Sequence, residues 1–279
     1  MATYTCGLAR CITALTHPEK SRFLVGTQKL RDPNEIHLIE YDADNEAIRC
    51  VNIYSHKHEI WHLSPCRTDE SLLFTCYNTG VDYRASLWKI PSEDDNAHAS
   101  GTLKQLATLD PILVQSPVRC VLWSPHDPAS VLSVDDEALR SWSVEGGDIN
   151  DIGTSEQAEA LHHKLAGGAW APHDPSGAAM TWAGSGVTRW DLRTMKPSHS
   201  IEAAPAGMPI RDAEFNPKKP HLLASAGDDG KVRFWDLRSC ASPVVEFTAH
   251  PHWVTQVKYN PVHDRLLLTA STDTNTSLW

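Results

Sequence analysis

Apolar and polar positions alternate along this chain in short runs bounded by Gly, Pro, Asn and Asp, and the alternation itself recurs. Residues 118–142 read VRCVLWSPHDPASVLSVDDEALRSW, 165–190 LAGGAWAPHDPSGAAMTWAGSGVTRW, 210–235 IRDAEFNPKKPHLLASAGDDGKVRFW and 254–279 VTQVKYNPVHDRLLLTASTDTNTSLW. Each holds an aromatic residue (Trp123, Trp170, Phe215, Tyr259), a proline two places on (Pro125, Pro172, Pro217, Pro261) and a closing tryptophan 19, 20, 20 and 20 positions after the aromatic. The closing tryptophans are spaced 48, 45 and 44 residues apart. Period-two alternation over five to seven residues marks half-buried strands. A repeat in the mid-forties that closes on Trp, twice followed by Asp, is the signature of four-stranded propeller blades.

Two weaker repeats precede these. FLVGT and IHLIEY fall within residues 22–41, and IWHLSP, SLLFTCY and ASLWKI within 59–90. The expected fold is therefore all-β: a WD40 propeller in one domain, 1–279, with six blades at roughly 4–55, 56–103, 104–160, 161–204, 205–248 and 249–279, the last truncated, of an expected seven. The polar, acidic stretches 91–101 and 145–154 read as exposed linkers. Residues 155–164 allow a turn or two of helix but read better as a loop. The Asp229-Gly230 pair between LLASAG and KVRFW predicts a tight hairpin, with Asp136 and Asp273 at comparable places.

Composition narrows the classes of function. The chain has 35 acidic and 25 basic side chains and a net charge of −10. That argues against nucleic acid or an anionic membrane as a direct partner. Seven cysteines without a C-x-x-C pair suggest a reduced, intracellular protein. No apolar run approaches the length of a membrane span, and the N-terminal residues make a poor signal peptide. The close pairs His56/His58, His162/His163 and His250/His252 lack the converging third and fourth ligands that zinc sites use, so no metal and no cofactor is expected. There is no G-x-S-x-G, P-loop, G-x-G-x-x-G or H-E-x-x-H, and adjacent acids such as Asp135-Asp136 point to opposite faces of a strand. No catalytic residue and no enzymatic activity are expected.

The blocks SRFLVGTQKL, NEIHLIEYD, HEIWHLSP and LLFTCYN, followed by IRDAEFNP, LASAGDDGKVRFWD and HPHWVTQVKYNPVHDRLLLTASTD, carry more than a generic repeat. Over almost the whole chain they resemble the EARP/GARP complex-interacting protein family. The resemblance implies a seven-bladed propeller whose final blade, after an acidic loop, this chain does not contain. It implies a non-enzymatic adaptor with no small-molecule substrate, a cytoplasmic protein recruited peripherally to the trans-Golgi network and endosomes. Its partners would be subunits of the EARP and GARP vesicle-tethering complexes, and its roles endosome-to-Golgi retrieval, endocytic recycling and dense-core vesicle biogenesis.

No family motif says which side chains touch a tether. Residues just before each innermost strand rim one face of a propeller, which makes Glu59, Lys164, Pro209 and Trp253 candidate protein-binding positions. Trp253 leads them, because an exposed Trp is a good interface anchor. WDLR occurs twice, and resembles the W-D-x-R ending by which WD40 substrate receptors engage the DDB1 adaptor of cullin-4 ubiquitin ligases. The residues for that alternative are Asp191, Arg193, Asp236 and Arg238, with an Asp–Arg pair at the strand end as the structural reading. In the last blade His250, Ser271 and Trp279 are expected to form a buried hydrogen-bond chain with Asp273 fixing the turn. Asp229 and Trp235 hold structural places in the blade before it.

Overall fold

The computed structural model describes residues 4–6, 8–16, 20–29, 33–91, 102–109, 116–155, 164–174, 178–202 and 208–279. Among these there is no helix, and 23 strands form six antiparallel sheets. The first holds β1 (Ala9–Leu15), β2 (Ser21–Thr27), β3 (Asn34–Asp42) and β4 (Ala47–His56) in chain order. The second holds β5 (Glu59–Pro65), β6 (Leu72–Asn78), β7 (Tyr83–Lys89) and β8 (Lys104–Leu109). The third holds β9 (Val118–Trp123), β10 (Ser130–Asp135), β11 (Leu139–Glu145) and β12 (Asp148–Thr154). The fourth holds β13 (Leu165–Trp170), β14 (Ala178–Ala183), β15 (Gly186–Asp191) and β16 (Lys196–Glu202). The fifth holds β17 (Ile210–Phe215), β18 (Leu222–Gly227), β19 (Lys231–Asp236) and β20 (Val245–Thr248). The sixth has three strands, β21 (Val254–Tyr259), β22 (Leu267–Ser271) and β23 (Thr276–Leu278). The all-β fold and the six blades match the sequence reading.

Two boundaries differ from it. Lys104–Leu109 pairs with β7 and completes the second sheet, so the division at 103/104 falls too early. Residues 148–154, read as linker, form the outer strand β12. Gly146 and Gly147 both take positive φ (63° and 102°), which turns the chain tightly out of β11. Ile149 then packs against the Trp142 and Val144 cluster while the acidic neighbours face water. An outer strand with so little burial has the composition of a loop. The expectations for residues 92–101 and 156–163, His162 and His163 included, lie outside the described residues.

The chain divides into two compact units, Met1–Ser133 with Ser141–Ile152, and Val134–Arg140 with Gly153–Trp279. In the first, Leu24, Ile36 and Tyr54 meet Ile60, Leu63 and Leu73 of the next sheet. Phe74 and Leu87 on that sheet's other side meet Val121, Trp123 and Trp142. In the second unit, Met180, Trp182 and Val187 pack on Ala213, Phe215 and Trp235. Ala224, Ala226 and Val232 pack on Val257, Tyr259 and Leu267. Each fully buried Leu, Val or Phe here contributes about 1.5–3 kcal/mol of apolar burial.

A bulge recurs in the first strand of five sheets. The register slips between Ala9 and Cys11, Ile60 and His62, Leu165 and Gly167, Ile210 and Asp212, and Val254 and Gln256. The skipped residues are Arg10, Trp61, Ala166, Arg211 and Thr255. A bulge leaves one residue outside the ladder and re-aims its side chain.

Candidate protein-interaction sites

The closing tryptophans are fixed by one device. The indole N–H of Trp88, Trp142, Trp190, Trp235 and Trp279 donates to a hydroxyl on the strand before it: Thr75 (2.8 Å), Ser133 (2.9 Å), Thr181 (2.8 Å), Ser225 (3.0 Å) and Thr269 (2.9 Å). Thr75, Thr181 and Thr269 are wholly buried. In two sheets a histidine extends the chain. Nε2 of His250 lies 2.8 Å from the Thr269 hydroxyl, and its Nδ1 lies 2.9 Å from the Asp273 carboxylate. Nε2 of His56 lies 3.3 Å from the Thr75 hydroxyl, and its Nδ1 lies 2.8 Å from the His58 carbonyl. Burial drives the His56 imidazole down from 6.5 to about 4, against the pull of the His58 carbonyl.

This corrects one expectation. The hydroxyl between His250 and Trp279 belongs to Thr269, not Ser271. The backbones of Trp279 and Leu267 exchange both hydrogen bonds, which puts the side chain two residues after Leu267 under the indole. Ser271 stands a further two residues on, where its hydroxyl accepts the Asp273 N–H at 3.1 Å. Asp273 fixes its turn as expected, accepting the Asn275 N–H at 2.8 Å. Asp229 accepts the Lys231 N–H and pairs with buried Arg233. In the third sheet the turn carboxylate is Asp135, which takes two backbone N–H groups and Arg140; Asp136 instead receives Lys164. These polar groups hold the turns in place, and each is already occupied.

The four candidate interface positions differ in what surrounds them. Glu59 opens β5 half-buried, in register with Asn78. Lys164 precedes β13 with its side chain 76% exposed and its ammonium 2.7 Å from Asp136. Pro209 precedes β17, and its carbonyl accepts the Asp228 N–H at 3.0 Å. Trp253 precedes β21 and is 44% exposed. Its backbone carbonyl accepts the Thr272 N–H, while His252 lies against one side of the ring.

One residue beside these candidates was not read from the sequence. The bulged Arg211 places its guanidinium 5.3 Å from the Trp253 ring centre, and Asp228 holds that guanidinium in an ion pair. The Asp228 bond raises the Arg211 pKa further, so the charge is permanent. Met208, 45% exposed, stands one residue before Pro209. In the first unit, bulged Arg10 likewise lies over bulged Trp61, at 3.8 Å. Each guanidinium lies on one face of its ring, an attraction that helps fix the ring's orientation. The sequence signal was an Arg at the same step of three first strands, Ala-Arg-Cys, Val-Arg-Cys and Ile-Arg-Asp.

At the other strand ends, each WDLR motif closes on itself. Asp191 accepts the Arg193 N–H at 3.0 Å and stands 3.7 Å from its guanidinium. Asp236 takes the Arg238 Nε at 2.9 Å and Nη2 at 2.6 Å, and its backbone N–H at 3.0 Å. The Arg238 side chain, and then its N–H, hold the Asp236 carboxyl well below the usual range. Both arginines remain exposed, at 81% and 69% of the side chain.

All seven cysteines are free thiols. Among the described residues no group of three His, Cys, Asp or Glu side chains is placed to hold a metal, and no helix is long and apolar enough to cross a membrane. Residues 2–279 match the family model described as EIPR1 beta-propeller. The chain belongs to this family. Relatives of the EIPR1 beta-propeller chain include the WD repeat-containing protein DWA2 of Arabidopsis thaliana, 35% identical over 97% of this chain and 76% of its own length. The EARP and GARP complex-interacting protein 1 of Rattus norvegicus is 37% identical, and that of Homo sapiens 35%, each over 97% of this chain and 74% of its own. The names of these two EIPR1 relatives state an interaction with the EARP and GARP complexes.

Proposed function

We propose that this chain is a non-enzymatic adaptor that binds the EARP and GARP vesicle-tethering complexes. The observation that carries the reading is the chain-long likeness to relatives named for that interaction. The surface chemistry supports it: the closing tryptophans bond to hydroxyls inside their own sheets, while Trp253 stands exposed beside Arg211. A ring that large, held open and oriented, is the usual anchor of a protein interface. On this reading the adaptor is cytoplasmic and is recruited to the trans-Golgi network and endosomes through its partners, without touching lipid. There it supports endosome-to-Golgi retrieval, endocytic recycling and dense-core vesicle biogenesis. A seventh blade belongs to the same reading, supported by Leu268 and Leu278, which pair across the sixth sheet and lie 47% and 65% exposed.

The test is affinity capture of the chain from cells with mass spectrometry of what accompanies it. Stoichiometric recovery of tethering-complex subunits supports the reading, and their absence sinks it. A second reading, a DDB1-dependent substrate receptor, is favoured by the exposed guanidinium groups of Arg193 and Arg238. Against it, Asp191 and Asp236 already engage those arginines. Replacing both arginines with Ala should abolish DDB1 capture under the second reading and leave tether capture intact under the first.

A further inference from the structure

Where two sheets pack, the earlier one offers one apolar face and the later one offers the opposite face. On the face turned to the following sheet, Leu24, Phe74, Met180 and Ala224 share one register position of the second strands, and each is buried. The sixth sheet has Leu268 at that position, opposite Lys258. Leu278 pairs with Leu268, at the place from which Phe234 of the fifth sheet packs on the sixth. Both leucines are exposed.

On the face turned to the preceding sheet, Leu63, Ala213 and Val257 share one position of the first strands, just past the bulge, and each is buried. The first sheet has Ile12 there, after the same bulge, and Ile12 is 60% exposed. Ala14, at the place of Phe215 and Tyr259, is exposed as well. A polar contact follows the same rule. The Asp212 carboxylate of the fifth sheet accepts the Val257 N–H of the sixth at 3.1 Å. Gln256 holds the place of Asp212 in the sixth sheet and is exposed, with a side-chain carbonyl that accepts in the same way. Ile12 holds the place of Val257. The two exposed faces are thus the two halves of an interface that the chain already repeats, and stacked repeats bury such faces on one another.

We propose that copies of this chain associate head to tail, with Leu268 and Leu278 of one copy packed on Ile12 and Ala14 of the next, and Gln256 accepting the Ile12 N–H. Such a contact is heterologous: it uses a different patch on each copy, so every pair leaves one face of each kind free, and the assembly extends or closes into a ring. These are the faces a seventh blade would cover, and a second copy takes that place. The inference goes beyond the adaptor reading and draws on neither Trp253 nor the WDLR motifs.

The experiment is sedimentation equilibrium of the purified full chain as wild type, as Ile12→Asp, as Leu278→Asp and as an equal mixture of the two variants. The wild-type mass should rise with concentration to twice that of one chain and beyond. Each variant alone should stay monomeric, with its melting temperature little changed because both side chains are exposed. The mixture should form a one-to-one dimer and nothing larger, since Ile12→Asp leaves the sixth-sheet face intact and Leu278→Asp leaves the first-sheet face intact. Should either variant unfold, Ile12→Ser and Leu278→Ser replace them with the same expected outcomes. A monomeric wild-type chain overturns the inference and leaves the two faces to a seventh blade. A dimer that survives either single substitution, or a mixture that fails to associate, overturns it as well. Tether capture by the wild-type chain separates this claim from the adaptor reading. Capture by a monomeric chain keeps the adaptor alone, and association without capture keeps the head-to-tail contact alone.

Discussion

Acidification should loosen the second sheet through His56. This imidazole is buried, donates Nδ1–H to the His58 carbonyl, and accepts at Nε2 from the Thr75 hydroxyl, which in turn receives the Trp88 N–H. Charging the ring would put a proton on Nε2, and the Thr75 hydroxyl would then have to turn its own proton away from the ring inside a buried site. Burial depresses the folded pKa from 6.5 to about 4. In the unfolded chain the ring protonates near its ordinary value, so between those limits the unfolded state binds more protons and acid favours unfolding. The stability His56 contributes is complete above about pH 7, falls as pH drops through the unfolded value, and is fully lost below about 4. Between about pH 7.5 and 4.5 the linkage amounts to about 2.5 kcal/mol. Denaturant unfolding of the wild-type chain and of His56→Gln at a series of pH values isolates this share. The difference between the two stabilities should shrink by about that amount across the range. NMR titration of the ring should find it neutral at pH 5.5. A pH-independent difference, or a ring that titrates near 6.5, would refute the argument.

Three further outcomes follow from the geometry. Thr181→Val keeps the shape of a wholly buried side chain but orphans the Trp190 N–H, and should cost about 1–3 kcal/mol by chemical denaturation, with Thr181→Ser recovering most of it. Gly230→Ala should destabilise by about 1–3 kcal/mol, since φ is +72° and an added Cβ would collide with the His250 carbonyl oxygen; a melting temperature equal to wild type contradicts this. Trp253→Ala should reduce tether capture several-fold while shifting the melting temperature little, because the ring is 44% exposed; a collapse of stability would mean the ring is a packing residue.

The repeat of aromatic, proline and tryptophan was enough to find the blades, because packing on a neighbouring sheet constrains the second and third strands of most sheets. Outer strands carry no such constraint. Asp148–Thr154 exposes most of its residues, so its polarity conceals a strand that only the Gly146-Gly147 turn betrays. The His–hydroxyl–Trp chain was legible in kind but misplaced by one pleat, since choosing Thr269 over Ser271 requires the register against Trp279. Trp253 was visible as a candidate from its position alone. Arg211 was not, because its contact with Trp253 depends on a bulge and joins residues of different sheets.

The skipped residue in each first strand has one more consequence. A residue outside the ladder forms no part of the register, so its identity can change without displacing the pleats on either side. Arg10, Trp61, Ala166, Arg211 and Thr255 show how different the occupants already are within one chain. The fold thus holds five addresses, one at the same step of each of five first strands, where a side chain can be rewritten while the grammar of the sheet stays as it was.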